Sequence, residues 1–282
     1  MLRIVTDTAS DITVDQARNM NIDVVSLDIT FEDGPAPQRT EEDFRRFYQR
    51  LEACDRLPVT SRTPPEEYLN LFQDAREKGD DVLVITLSGG LSGTVDSARM
   101  AKQIADYDKI EVVDSHQAIL TQRMLVEQAV KLREEGYQLQ EIVQRIKNTR
   151  DQVVVCGVVD TLKYLQKGGR IGKVTATAGM LLQIKPILAF APDGQLTSVA
   201  KVRGRHQVID KLVALTVQRC GEHKRYNLAV ANGGAPEEMA IVKEKLTAAL
   251  PDYDHIWEGE IDGTLSVYIG DGILGAAVQV LD

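Results

Sequence analysis

The feature that most constrains the fold is a short apolar run without alternation, Val82-Leu83-Val84-Ile85. A strand with one face in water alternates apolar and polar residues; this one does not, so both of its faces must be covered. A parallel sheet between two layers of helices does that. Gly79 precedes the run and Ser88-Gly89-Gly90 follows it, so residues 81–87 are bounded by breakers. The stretch before it opens with Pro64-Pro65-Glu66-Glu67, as a helix amino terminus does.

The same β-α alternation recurs along the first half. Residues 2–6 read as a buried strand, followed by the polar loop Asp7-Thr8-Ala9-Ser10-Asp11 and a helix from about Thr13. Residues 22–29 read as a strand broken by Asp33-Gly34-Pro35. Phe44, Phe47, Tyr48 and Leu51 give residues 41–53 helical spacing. Thr60-Ser61-Arg62-Thr63-Pro64-Pro65 reads as a second polar loop. Helices are predicted over about 65–78, 94–105 and 117–135, and a strand over 110–113. Ligands of such sheets lie beyond the carboxyl ends of the strands. The hydroxyl-rich loops and the loop 88–93 are therefore expected to meet in one crevice.

The pattern changes near residue 150. A strand at 153–159 leads to a short helix from 162, ended by Gly168-Gly169, and a helix at 174–182. Residues 185–191 and 196–202 flank Asp193-Gly194 as a hairpin. A helix at 206–219, a strand at 226–231, a helix at 236–249 and two strands around 270–275 follow. The fold class expected is α/β in two domains. Residues 1–150 form a parallel-sheet α/β domain carrying the hydroxyl-rich loops. Residues 151–282 form an α+β domain with a mainly antiparallel sheet. The first loop-helix segments can pack on the second domain.

Composition removes several function classes. Hydrophobic residues make up 43% of 282, enough for a real core. The net charge of -9 disfavours nucleic acid and broad adsorption to anionic membranes. No apolar run approaches the ~18 residues of a membrane span, and the first residues lack the pattern of a signal peptide. Cys54, Cys156 and Cys220 are odd in number and far apart, with no C-x-x-C pair. They read as reduced thiols of a cytoplasmic protein, Cys156 as a core residue. No histidines fall at helical ligand spacing, so no metal is expected.

Among candidate sites, Ser88-Gly89-Gly90-Leu91-Ser92-Gly93-Thr94 is the strongest. A strand ends, glycines permit close approach, and a helix begins whose free N–H groups and dipole favour a carboxylate or phosphate. Ser92 adds a hydroxyl beside the amides of Gly93 and Thr94. Simple capping by Ser92 or Thr94 explains the same residues. Thr60-Ser61 ahead of the next helix has the same two readings, and Arg170 after Gly168-Gly169 reads as a surface arginine or an anion ligand. Gly90-Leu91-Ser92-Gly93-Thr94 also approaches a nucleophile elbow, without its last glycine. A serine hydrolase or acyl transferase would then use Ser92 with His116, which follows Asp114-Ser115 at another strand end. A binder of another small anion is a third reading. Lys201, Arg203 and Arg205 form a basic cluster, either a solvated strand end or a docking patch.

Taken in order, these segments resemble the DegV family of bacterial fatty-acid-binding proteins. The resemblance rests on Val5-Thr6-Asp7-Thr8, Thr60-Ser61 with its prolines, residues 88–94, Val112-Val113-Asp114-Ser115, residues 164–171, Lys185-Pro186-Ile187-Leu188 and Lys201-Val202-Arg203-Gly204-Arg205. It implies an α/β domain and an α+β domain with a long-chain fatty acid between them, the second domain closing over the acyl chain. By that resemblance Thr60 and Ser92 bind the carboxylate. Ser61, Gly93, Thr94, Arg170 and Tyr268 support the head group. The protein is then a carrier rather than an enzyme, needs no cofactor beyond its lipid, and presents the acyl group to a fatty acid kinase. Two departures stand out. Thr60-Ser61-Arg62-Thr63-Pro64 replaces the family's usual Thr-Ser-Gln-Pro-Ser. Tyr268-Ile269-Gly270-Asp271-Gly272 stands where a His-x-Gly-Pro-Gly run is common. Tyrosine donates a hydrogen bond but is no cation at neutral pH, and Asp271, if it faces the site, repels a carboxylate. Val158, Ile171, Met180, Leu181, Ile184 and Leu188 are candidate tunnel residues, with core packing the competing role.

Overall fold

The computed structural model describes residues 1–172, 174, 184–204, 207–222 and 225–281. The chain runs β1 (Leu2–Asp7), α1 (Val14–Met20), β2 (Asp23–Val25), β3 (Asp28–Phe31), β4 (Gly34–Pro35), α2 (Glu41–Ala53), β5 (Val59–Ser61) and α3 (Pro65–Lys78). It continues through β6 (Asp81–Thr86), α4 (Thr94–Ala105), β7 (Ile110–Asp114), α5 (Ile119–Glu134), α6 (Leu139–Arg150), β8 (Val153–Val158) and α7 (Lys163–Lys167). Next come β9 (Ile184–Phe190), β10 (Leu196–Arg203), α8 (Val208–Cys220), β11 (Tyr226–Gly233) and α9 (Pro236–Ala249). It ends with β12 (Ile256–Glu260), α10 (Gly263–Ile269) and β13 (Ile273–Val280).

The first half contains a parallel sheet in the order β2-β1-β6-β7. The unalternated run of β6 has the cause inferred from it. Leu83 and Ile85 pack with Leu125 and Ile142 from α5 and α6. Val82 and Val84 pack on the other face with Tyr68, Phe72 and Ala98 from α3 and α4. The second half forms a mixed sheet in the order β10-β9-β8-β13-β11-β12. Its pairs are antiparallel except β11 with β12.

Several expectations need correction. The strand expected over 22–29 is two strands in different sheets: β2 joins the parallel sheet, while β3 pairs with β4 and β5 in a small separate one. Thr8 Oγ1 accepts from the Leu27 amide where the chain changes sheets. The segment before Gly270 is the helix α10, not a strand. The alternation of Leu265, Val267 and Ile269 imitates a strand, but nearly all of this helix is buried, so periodicity reports nothing. Asp262 starts it by accepting from the Thr264 amide. Helix α6 was not anticipated; Leu139, Ile142, Val143 and Ile146 form its buried stripe. The expected helix at 174–182 lies almost wholly outside the described residues, as does the start of the one expected at 206. Residues of β3, β5 and α2 pack against α10, so an early stretch does join the C-terminal layer.

Candidate functional site

The loops at the carboxyl ends of β1, β6 and β7 are tied together at Asp7. Its carboxylate accepts from the Leu87 amide at 2.7 Å, the Ala9 amide at 3.2 Å and Gln122 Nε2 at 3.1 Å. Ser88 N–H donates to the Gln117 carbonyl, and Ser88 Oγ donates to the Gly194 carbonyl at 2.8 Å. The loop 88–93 is thereby held between the parallel sheet and the β9–β10 turn.

Beside that loop lies a pocket lined by Thr60, Arg62, Ser92, Gly93, Arg170, Thr264 and Tyr268, with leucines and Ile269 filling the wall. The loops around Thr60 and Ser92 do converge. Thr60 sits on β5, opposite Ile29 of β3, and its hydroxyl bonds that of Tyr268. Ser92 Oγ lies 2.9 Å from Thr94 Oγ1 and accepts from the Thr94 amide at 3.3 Å. The residue that caps α4 is Gly93, with no side-chain cap. Arg170 donates from Nη1 to the Gly168 carbonyl at 2.7 Å and from Nε to the Leu91 carbonyl at 3.3 Å. Its guanidinium lies 4.5 Å over the Tyr268 ring. Gly168 is required for this stack, because a Cβ there would overlap the Tyr268 ring.

Other predicted residues fall elsewhere. Thr60-Ser61 is strand, not loop, and neither hydroxyl caps α3, whose capping residue is Pro64, with no side-chain cap. The strand's alternation turns Ser61 outward, exposed and off the pocket lining. Thr94 is buried in the turn with Ser92 rather than on the lining. His116 faces Asp114, 3.8 Å from Nε2 to Oδ2, and lines a different cleft with Arg150 and Arg219. The Ser92–His116 pair of the hydrolase reading is not assembled. Asp271 is exposed and does not line the pocket. Lys201 and Arg203 are exposed on the edge strand β10; Arg205 lies outside the described residues. Arg62, noted in the sequence only as a departure, is at the pocket.

Leu91, Leu196, Leu265 and Ile269 line both this pocket and a second, apolar cavity. Two rows of small residues make its floor. Gly157 of β8 faces Gly275 of β13, which faces Ala231 of β11; Val155, Ala277 and Ala229 form the next row. The opposite face of the sheet carries Leu228, Val230, Leu274 and Val278, packed with residues of α8 and α9. The sheet is thus bulky on one side and troughed on the other. Ala118, Ile119, Leu120 and Thr121 at the start of α5 roof the trough. Of the expected tunnel residues, Leu188 lines the cavity. Val158 belongs to the opposite core, Ile171 packs beside the cavity, Ile184 is not on its lining, and Met180 and Leu181 are outside the described residues. Among the described residues no cluster of histidine, cysteine and acidic side chains could hold a metal. None of their helices is long and apolar enough to cross a membrane.

Comparison with known proteins gives consistent matches. A family model described as "Uncharacterised protein, DegV family" matches residues 1–280. A DegV domain-containing protein of Clostridium acetobutylicum is 30% identical over 278 residues, covering 98% of both chains. A DegV family protein from Thermus thermophilus, described as binding fatty acid, superimposes with a TM-score of 0.91 at 26% identity over 99% of each chain. DegV of Bacillus subtilis, described as a fatty acid binding protein, does so with a TM-score of 0.86 at 27% identity, again over 99% of each.

Proposed function

This chain belongs to the DegV family, and on that premise we propose that it binds one long-chain fatty acid and carries it without chemistry of its own. The observation that carries the reading is the wall that the two cavities share. A polar mouth bearing Thr60, Ser92, Arg170 and Tyr268 shares four wall residues with an apolar trough. In this reading Thr60 and Ser92 donate to the carboxylate, Tyr268 adds a hydroxyl, and the amino end of α4 adds its dipole. Arg170 holds Tyr268 and the Leu91 carbonyl in place. The acyl chain lies along the trough, with residues 1–150 supplying Thr60 and Ser92 and residues 151–282 supplying Tyr268 and the floor beneath the tail.

The relatives from Thermus thermophilus and Bacillus subtilis, described as binding fatty acid, support the ligand class. Magnitudes support a carrier. Burying ~14 methylenes is worth roughly 11 kcal/mol gross at about 0.8 kcal/mol each, before ordering costs. The tail therefore supplies most of the affinity, and the mouth sets orientation. Delivery in the cytoplasm to a fatty acid kinase is the further part of the proposal. Exposed Lys201 and Arg203 on the edge strand suit an acidic docking surface.

Organic extraction of the purified protein followed by mass spectrometry tests the reading. Fatty acid near one equivalent per chain is expected, together with a thermal upshift when free fatty acid is added to stripped protein. Absence of both would end it.

A further inference from the structure

We infer that Arg62 is the charge-selecting residue of the mouth, the side chain that makes this pocket discriminate an ionised fatty acid from a neutral lipid of the same length. The inference rests on the fatty-acid reading and adds a residue to it. Among the described residues, two guanidinium groups line the mouth and no aspartate or glutamate does. They are not equivalent. Arg170 is spent on two backbone carbonyls and the Tyr268 ring. Arg62 makes no ion pair or hydrogen bond among the described residues, and its donors are uncommitted.

Arg62 is nevertheless placed. Its side chain lies against the α-carbon of Gly93, where a Cβ would fall 2.7 Å from Nη1 and 3.4 Å from Cδ. Gly93 is the capping residue of α4 and has a φ of -77°, which any residue can adopt. Glycine is therefore needed here for the approach of Arg62, not for the backbone. The uncommitted guanidinium sits beside Ser92 and the positive end of the helix, where a carboxylate bound by Thr60 and Ser92 would lie. An arginine fork can meet both oxygens of a carboxylate, and a neutral alcohol offers it neither charge nor a second oxygen. The Arg170–Tyr268 stack positions the hydroxyl side of the mouth, and Arg62 supplies the ionic contact.

The test measures binding of palmitate and of hexadecanol to stripped wild type and to Arg62→Gln at low and high salt. Wild type is expected to prefer palmitate, with a preference that shrinks in salt. Arg62→Gln should lose about tenfold in palmitate affinity, equivalent to about 1.4 kcal/mol. Its hexadecanol affinity and melting temperature should stay as in wild type. Gly93→Ala, which displaces the guanidinium without removing it, should move palmitate affinity in the same direction, and Arg62→Lys should restore part of it. If Arg62→Gln keeps both the palmitate affinity and its salt dependence, Arg62 has no such role and the inference falls, while fatty-acid binding stands. If wild type binds neither compound, the fatty-acid reading fails and takes the inference with it.

Discussion

Asp7 shows how a single residue joins fold to site. Burial pushes its carboxyl up to about 6, although the Leu87 amide, Gln122 and the Ala9 amide all favour the charged form. The folded protein therefore holds a proton on Asp7 more tightly than the unfolded chain, whose aspartates titrate near 3.8. Between about pH 4 and 6 the folded state binds more protons, so this residue's contribution falls as pH rises through that window and is level above it. A shift of about two units corresponds to roughly 3 kcal/mol at most. Urea unfolding should give Asp7→Asn a flatter pH profile between 4 and 6 than wild type, with the two stabilities closest near pH 4, where Asp7 is protonated, and furthest apart near pH 7. An unchanged profile would mean Asp7 stays ionised throughout. The sequence marked Asp7-Thr8-Ala9-Ser10-Asp11 only as a loop rich in capping residues. It could not show that both Asp7 oxygens face donors from β6 and α5, because those donors are about 80 and 115 positions away. The meeting of Thr60 and Ser92 at one pocket was legible from the ordered set of family-like segments, not from either hydroxyl alone. Arg62 was not, since its role depends on the approach to Gly93.

Among the elements, α10 is the one that a sequence pattern hides and the site most needs. It brings Thr264, Leu265, Tyr268 and Ile269 to the mouth, and Leu265 and Ile269 also to the trough. Its seven residues are too few to be stable alone. It is held by tertiary contacts and by its cap. Asp262 Oδ1 accepts from the Thr264 amide at 2.9 Å and Oδ2 from the Thr264 hydroxyl at 2.7 Å. The Asp262 amide donates to Asp11 at 3.1 Å, which ties α10 to the loop after β1. Asp262→Ala should cost about 1 kcal/mol in urea unfolding through the lost cap. It should also weaken fatty-acid retention, because the mouth loses a fixed wall. Asp262→Asn keeps an acceptor for the amide, lets the Thr264 hydroxyl turn, and removes a buried charge. Its stability should lie closer to wild type than that of Asp262→Ala at neutral pH. Equal losses in both variants would show that charge, not capping, is what α10 uses. By contrast β6, α3 and α4 were readable from sequence, since their burial patterns and breakers are local and agree with one another.

On the scale of the whole molecule, the ligand space comes from a mismatch between the two faces of one sheet. Ala229 and Ala231 alternate with Leu228 and Val230 along β11, and Gly275 and Ala277 alternate with Leu274 and Val278 in β13, apart from Ala276. Each strand alone reads as an unremarkable buried strand with some small residues. Only the registers that set Ala231 opposite Gly275, and Gly275 opposite Gly157, line the small residues up into a trough. Pairing between distant strands is what a single sequence does not encode locally, which is why the fold class was readable and the cavity floor was not. If the trough holds an acyl tail, its depth should set acyl length. Ala231→Leu places a bulky side chain in the row without touching the mouth. It should shift the extracted fatty acids to chains shorter by about two to four methylenes, each methylene excluded being worth about 0.8 kcal/mol. Head-group selectivity between palmitate and hexadecanol should be preserved. An unchanged chain-length profile in a folded Ala231→Leu protein would mean that the tail lies elsewhere. The mouth and the trough would then be separate cavities that happen to share walls.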